Sequence, residues 1–150
     1  MSAFMIFLIL FFTCLLPGDF ALSHEEFSVA GPAPQVLVIH SYYATFTWAD
    51  NITKGIRKAF ADKRGQKVQI CFEFLDAKRH PETAYLDKKA ELLQMKYPDP
   101  GAIDIIICSD DQALNFLLDR SDTLFAGIPV VFCGVNAYSP GMRKIRPELT

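Results

Sequence analysis

The chain has 150 residues, of which 51% are hydrophobic and 21% are charged, a composition typical of one globular domain rather than of a disordered or repetitive protein. Its formal net charge is -2, and its Lys and Arg residues are scattered among acids. A nucleic-acid partner is therefore not expected, since such partners need a basic stripe or patch.

The N-terminal segment predicts export. Residues 1–16 are almost wholly apolar and are followed by a Pro-Gly pair at 17–18. This run is shorter than the ~20 apolar residues that span a bilayer, and the small residues Ala21 and Ser23 suit cleavage after Ser23. Residues 1–23 are therefore predicted to be a signal peptide or a membrane anchor. The membrane anchor remains an alternative because the Lys or Arg that usually precedes the apolar run of a signal peptide is absent.

From residue 35 onward, short β-branched runs alternate with longer segments of helical period. This alternation is the signature of βαβ units, so the predicted fold class is α/β, with a doubly wound, Rossmann-like parallel sheet of about four strands. Residues 24–34 are interpreted as a linker, 35–136 as an α/β lobe, and 137–150 as a polar tail where a second lobe would begin.

Apolar patterns predict the elements of the lobe in chain order. The strands are expected at 36–39, 68–75, 103–108 and 130–133. The second strand alternates more than the first and is a candidate edge strand. Helices are expected from Trp48 to Lys63, ending before Gly65, and then from Pro81 to Tyr97 and from Asp110 onward.

Specific residues are expected at the helix starts. Thr47 is predicted to cap the first helix, and Pro81 to occupy the first turn of the second. Ser109, with Gln112 three residues later, predicts a capping box for the third helix.

Parallel strands joined by right-handed crossovers end at the same rim of a sheet, where ligands bind in open α/β folds. Polar and aromatic residues follow all four predicted strands or lie in the first loop. The candidate ligand-binding residues at this rim are Ser41, Tyr42, Trp48, Asp76, Ser109, Asp110, Asp111 and Asn136.

Each type of candidate has a chemical role and a structural alternative. Ser41 can donate a hydrogen bond to a ligand or to its own turn, and the aromatic rings can enclose a ligand or cover the lobe. Asp110 and Asp111 suit a ligand cation, although acids in a first helical turn are also explained by capping. Asp76 has no capping role, because Pro81 marks the helix start later.

No motif predicts catalysis or a cofactor. Ser41 lacks a G-x-S-x-G context, and no glycine-rich phosphate loop follows the first strand. The histidines lack metal-ligand spacing, and Cys71, Cys108 and Cys133 lie in apolar runs as expected for small buried side chains. The chain is therefore expected to be no enzyme and to bind neither a cofactor nor a metal.

Several phrases stand in order at the strand ends and helix starts, and together they carry a family resemblance. They are VLVIHSY at 36–42, WAD at 48–50, EFLD at 73–76, KY at 96–97, IIICSDDQAL at 105–114 and GIPVVFCGVN at 127–136. The chain resembles the ABC-transporter substrate-binding-protein-like family, which also forms the extracytoplasmic sensor region of bacterial histidine kinases.

The resemblance implies one lobe of a type I periplasmic-binding fold, with a small organic solute such as an amino acid as ligand and an ABC permease as partner. Family members carry a second lobe, which this chain would lack. The alternatives are a ligand-sensing domain of a membrane-anchored signalling protein and an inactive fragment. An intact Met1 in the mature protein would favour the sensor. A phospho-receiver is disfavoured because His40, Ser41 and Tyr42 replace the acidic pair after the first strand.

Overall fold

The structure of the chain is a computed structural model that describes residues 33–62 and 67–150. The strands are β1 (Gln35–His40), β2 (Gln69–Phe74), β3 (Ile105–Ser109) and β4 (Val130–Cys133). The helices are α1 (Thr47–Ala61), α2 (Thr83–Lys96), α3 (Asp111–Leu118) and α4 (Met142–Ile145), with a 3-10 turn at Pro100–Ala102. The predicted leader at 1–23 and Gly65 lie outside the described residues.

All four strands are parallel and lie in the order β2-β1-β3-β4. The predicted α/β class with a four-stranded, doubly wound sheet is confirmed. β2 lies at an edge, as its alternating pattern indicates, whereas β1 is central and almost entirely buried. The chain passes outward from β1 to β2 and then returns across β1 to β3, so the strand order reverses between β1 and β3. Their C-terminal ends form the switch point of the sheet.

The helices cover both faces of the sheet because right-handed crossovers change face where the strand order reverses. α1 lies on the face that carries His40, whose ring is hydrogen-bonded to Thr53 of that helix. α2 and α3 pack on the opposite face and bury the alternate side chains of the central strands. This core includes Leu37, Ile39, Ala90, Leu93, Ile106, Leu114 and Leu117.

Two predicted helix starts differ in the structure. Thr47 is the first residue of α1 rather than its cap, and the capping position is held by Phe46, which has no polar side chain to donate or accept. α2 begins at Thr83, after Pro81, with Glu82 at the capping position. α1 therefore begins one residue earlier than predicted and α2 two residues later, because apolar period locates a helix better than it locates its first residue.

The predicted capping box at the third helix is wrong. Ser109 belongs to β3, and α3 begins at Asp111, so the capping position falls on Asp110. The Asp110 side chain makes no capping hydrogen bond, and the Ser109 hydroxyl lies 2.7 Å from Nδ1 of His40. The Ser109 hydroxyl thus has a hydrogen-bond partner inside the sheet, the buried imidazole of His40. The spacing of Ser109 and Gln112 in the sequence does not indicate this partner.

The segment after β4 packs against the lobe. Residues 137–150 contain α4 and end beside β4, where Leu149 pairs in parallel with Val130 and the Thr150 N–H donates to the Val130 carbonyl at 2.8 Å. Leu149 and Arg146 are almost fully buried. The expected polar tail is therefore an ordered extension of the sheet edge.

The three described cysteines are free thiols. Cys108 is buried in the core, and burial raises the pKa of its thiol to about 12. Cys71 and Cys133 are only partly covered, although all three were expected to be buried.

Candidate functional site

The candidate site is the rim formed by the C-terminal ends of the four strands. Because every strand pairing is parallel, the predicted convergence of these ends is confirmed. The loops that meet there follow His40, Phe74, Ser109 and Cys133. The predicted site residues belong to these loops, to the end of β3 or to the starts of α1 and α3.

Ser41 joins the two sides of the switch point. Its Oγ donates to the Ser109 carbonyl at 2.9 Å and accepts from the Ala113 N–H at 2.7 Å. Ser41 and Ser109 are fully buried. Both hydroxyls therefore serve internal bonds, which tie β1 to β3 and to the first turn of α3, rather than facing the rim.

Ser109 and His40 form a hydroxyl–imidazole pair, but one without access to a substrate. Both residues are fully buried, and the second ring nitrogen of His40 lies 3.0 Å from the Thr53 hydroxyl rather than beside an acid. The ring stacks on Phe74 at a centroid distance of 5.0 Å. Burial lowers the pKa of His40 to about 4, so the imidazole is neutral at pH 7. The pair connects α1, β1 and β3.

Aromatic rings line the first loop of the rim. Tyr42 stacks on Phe46 at 4.2 Å and meets the Trp48 ring edge-on at 5.7 Å. The ammonium of Lys78 lies 5.4 Å from the centre of the Tyr42 ring. Tyr42 and Trp48 are only partly buried, so the predicted aromatic wall is open to solvent on one side.

A groove of about 410 Å³ opens beside this wall, between α1 and the end of β4. Trp48 is one of its lining residues, and most of the lining is apolar. The other lining residues are Asn51, Ile52, Gly55, Ile56 and Cys133. Trp48 belongs both to the aromatic wall and to the groove. A ligand that stacks on the wall therefore has the apolar surface of the groove within reach.

The position of Trp48 depends on Gly134. A Cβ added to Gly134 would lie 2.5 Å from Cζ2 of the Trp48 ring, and Gly134 has a φ of +65. Gly127 has a φ of +78, but nothing lies within 4 Å of an added Cβ. Substitutions at these two positions therefore distinguish the cost of a left-handed backbone, which both share, from the cost of displacing the Trp48 ring, which only Gly134 carries.

We expect Gly134→Ala to lower the free energy of unfolding by about 2–4 kcal/mol, which combines backbone strain with overpacking. Gly127→Ala should cost only about 1–2 kcal/mol, from strain alone. Urea denaturation of both variants, followed by Trp48 fluorescence, measures the difference. Equal losses would mean that the Trp48 ring moves aside freely.

Asp76 is held by a neighbour that the sequence did not single out. Its φ is 59, and its carboxylate accepts from Nε and Nη2 of Arg79, at 2.8 and 2.6 Å. These hydrogen bonds hold the pKa of Asp76 below its usual range. Arg79 also lies over the Tyr43 ring, 4.1 Å from its centre. Asp76 is therefore already neutralised by a bidentate cation.

Asp111 and Asn136 are brought together, as their places at the rim predict. Oδ1 of Asp111 accepts from the backbone N–H groups of Asn136 and Ala137 at 2.9 and 3.0 Å. These amides lower the pKa of the Asp111 carboxyl. The contact fastens the loop after β4 to α3, so both side chains have a structural task in addition to any contact with a ligand.

Asp110 differs from the other acids of the rim. It is buried, and its φ of 72 and ψ of 164 lie in a region occupied almost only by glycine. Its N–H donates to the Cys133 carbonyl at 2.9 Å, which holds the backbone in place. Oδ2 accepts no hydrogen bond from the described residues and forms an ion pair with the Lys78 ammonium, at 3.6 Å.

No family model, curated protein or solved structure matches this chain. The resemblance to the substrate-binding-protein-like family therefore stays a prediction. Within residues 33–62 and 67–150, no three His, Cys, Asp or Glu side chains are grouped so that they could hold a metal ion.

Sequence reasoning placed Lys78 at the rim but selected neither Lys78 nor Arg79 as a ligand-binding residue. Both follow Asp76 in the loop after β2. Their place just past a strand end was a usable signal, since any polar residue there belongs to the rim of a parallel sheet. Which carboxylate each would face depends on how the loops fold.

Proposed function

We propose that this chain is an exported, non-enzymatic lobe that binds a small organic solute, such as an amino acid, at the switch point of its sheet. The observation that carries the proposal is Asp110, a buried carboxylate with one oxygen that accepts no hydrogen bond from the described residues. Burying such a group costs free energy unless it is paired. A solute that reaches Asp110 would offset that cost.

The backbone of Asp110 supports the same proposal. An aspartate at φ 72 and ψ 164 is strained by about 1–3 kcal/mol relative to an ordinary conformation. Strain of this kind is typical of binding sites, where the surrounding structure holds a side chain in a position that the local chain disfavours. Here it holds a buried carboxylate at the end of β3, 3.6 Å from the Lys78 ammonium of the loop after β2.

The open wall of Tyr42 and Trp48 suits the organic part of a solute. One lobe supplies only one wall of a cleft, and ligand sites usually enclose most of their ligand. We therefore propose a second lobe as partner, whose closure over the solute would present a surface to an ABC permease or to a signalling membrane protein. No catalytic step is involved.

Export to the periplasm is part of the proposal and rests on the apolar segment at residues 1–23. That segment lies outside the described residues. Among the helices that are described, none has both the length and the apolar character needed to cross a membrane.

Titration of the ¹⁵N-labelled protein with the proteinogenic amino acids tests the proposal. We expect amide shifts that cluster at 41–48, 76–79 and 109–111, because these loops surround Asp110. Residues Pro100–Ala102 precede β3 and lie at the opposite end of the sheet, so they serve as an internal control. Shifts confined to that end, or no shifts with any amino acid, would refute solute binding at the rim.

Asp110→Gly should separate function from stability. Glycine adopts a φ of 72 without strain, so we expect the free energy of unfolding to rise by about 1 kcal/mol while the ligand-induced shifts disappear. Asp119→Gly is the control: Asp119 has a φ of -63 at the end of α3, and glycine there should lower stability and leave binding intact. If Asp110→Gly is less stable and still binds, Asp110 has a structural role only.

A further inference from the structure

The surroundings of Asp110 identify the chemical group that the solute would present, an inference that rests on the function proposed above. We infer that Asp110 binds a cationic amine of the solute, and that the Lys78 ammonium occupies this subsite in the free protein. Three residues carry the argument: the carboxylate of Asp110, the ring of Tyr42 and the side chain of Lys78.

The position of the Lys78 ammonium is favourable for any ammonium group. It lies 3.6 Å from Oδ2 of Asp110 and 5.4 Å from the centre of the Tyr42 ring. A carboxylate attracts a cation by charge, and the face of an aromatic ring attracts it through its quadrupole. Together they define a cation subsite at the switch point.

Lys78 fills the subsite loosely. At 3.6 Å the contact with Asp110 is an ion pair without hydrogen-bond geometry, whereas the neighbouring Arg79 holds Asp76 with bonds as short as 2.6 Å. The Lys78 side chain is 39% exposed, and it extends from a turn rather than from a helix or strand. Its movement out of the subsite therefore disturbs no helix or strand.

Asp110, unlike Lys78, cannot move out of the subsite. Its side chain is only 8% exposed and its backbone is held by the bond to Cys133. When Lys78 leaves, a buried carboxylate without a counter-charge remains, which is unfavourable until another cation replaces it. A solute with an ammonium group satisfies that requirement, and a neutral solute does not.

The other charges of the rim disfavour an anion. Asp76 is paired with Arg79, and Asp111 adds a second carboxylate whose oxygens already accept from amides. Asp110 and Asp111 against Lys78 leave two negative charges facing one positive charge. An anionic group at this point would therefore meet a net negative field.

Titration with three probes of matched length, n-butylammonium, n-butanol and butyrate, tests the inference on the ¹⁵N-labelled protein. We expect n-butylammonium to shift the amides of Tyr42 and Asp110 at the lowest concentration. Lys78→Met should tighten its binding by about two- to fivefold, the range expected when a partly exposed ion pair no longer competes. Asp110→Asn should abolish its preference over n-butanol.

Lys88→Met is the matched control, because Lys88 is an exposed lysine of α2 that pairs with Glu91. It should leave all three titrations unchanged. Butyrate binding tightest, or n-butylammonium binding no better than n-butanol, would overturn the cationic subsite. If amino acids still shift the rim in that case, the proposed solute binding stands. If no probe and no amino acid shifts the rim, both proposals fail.

Discussion

Arg146→Ala is expected to lower the free energy of unfolding by about 3–5 kcal/mol, a large part of the stability of a domain of this size. Arg146 is 1% exposed, although arginine is rarely buried. Its guanidinium donates to the carbonyls of Leu117, Leu124 and Phe125. These carbonyls close the end of α3 and the turns after it, so Arg146 joins the C-terminal segment to the core.

Two effects add in this variant. Truncation leaves a cavity, and it leaves the carbonyls of Leu117 and Leu124 without a donor, each of which costs about 1–3 kcal/mol unless water replaces the guanidinium. The Phe125 carbonyl keeps a second donor, the Ile128 N–H at 3.3 Å. Arg146→Met keeps most of the volume and removes only the donors. Its stability should lie between those of Arg146→Ala and the unmodified protein.

Arg143→Ala is the control for these measurements, since Arg143 is exposed on α4, the short helix that ends just before Arg146. It should change the free energy of unfolding by less than about 0.5 kcal/mol. Urea denaturation gives the free energies, and limited proteolysis reports whether residues 137–150 have come loose. If Arg146→Ala matches Arg143→Ala in both assays, the segment does not depend on the guanidinium.

The stability of the protein should fall by about 3 kcal/mol as the pH is lowered from 6.5 to 4, because of His40. Burial holds the pKa of His40 at about 4 in the folded protein, whereas an unfolded chain has an ordinary histidine pKa of about 6.5. Between these values the unfolded state binds a proton that the folded state does not. Acid therefore favours unfolding, and the His40 contribution is flat above about pH 7.

His40→Gln provides the comparison, since an amide can bond Ser109 and Thr53 but does not titrate in this range. This variant should be less stable at pH 7 and should lack most of the fall between pH 6.5 and 4. His80→Gln alters an exposed histidine and should retain the fall. The pKa values of Asp76 and Asp111 are also lowered in the folded protein, so the free energy of unfolding falls further at lower pH, where the carboxyls of the unfolded chain take up protons. A His40→Gln profile that parallels the original would assign the acid sensitivity to other groups.

The fold was predictable because apolar residues alone set it. Continuous apolar runs such as Val36–Ile39 mark strands buried on both faces, and the spacing of Ala90 and Leu93 marks the inner side of a helix. The edge position of β2 also followed from its alternation. Helix starts were less predictable, because a cap depends on a single hydrogen bond that a distant residue can replace. The Ser109 hydroxyl, for example, bonds to His40, 69 residues away, and does not cap α3.

The candidate site was predictable in its place but not in its contacts. All eight predicted residues lie in the rim loops or close beside them, because strand direction alone determines where the loops meet. The structure shows that Ser41 and Ser109 are fully buried and that the Asp111 carboxylate accepts a hydrogen bond from the Asn136 side chain. It also shows Lys78 beside Asp110, which no local pattern indicates.

Sequence alone determined the four strands, the three longer helices and the rim at which the strands end, since these depend on apolar period and chain direction, both of which are local properties. Tertiary structure alone decided which polar groups meet when they are far apart in the sequence. Asp110 and Lys78 are 32 residues apart, and Arg146 reaches carbonyls more than 20 residues away. Electrostatic pairing depends on distances of a few ångströms and on the exclusion of water, and only the folded chain sets both.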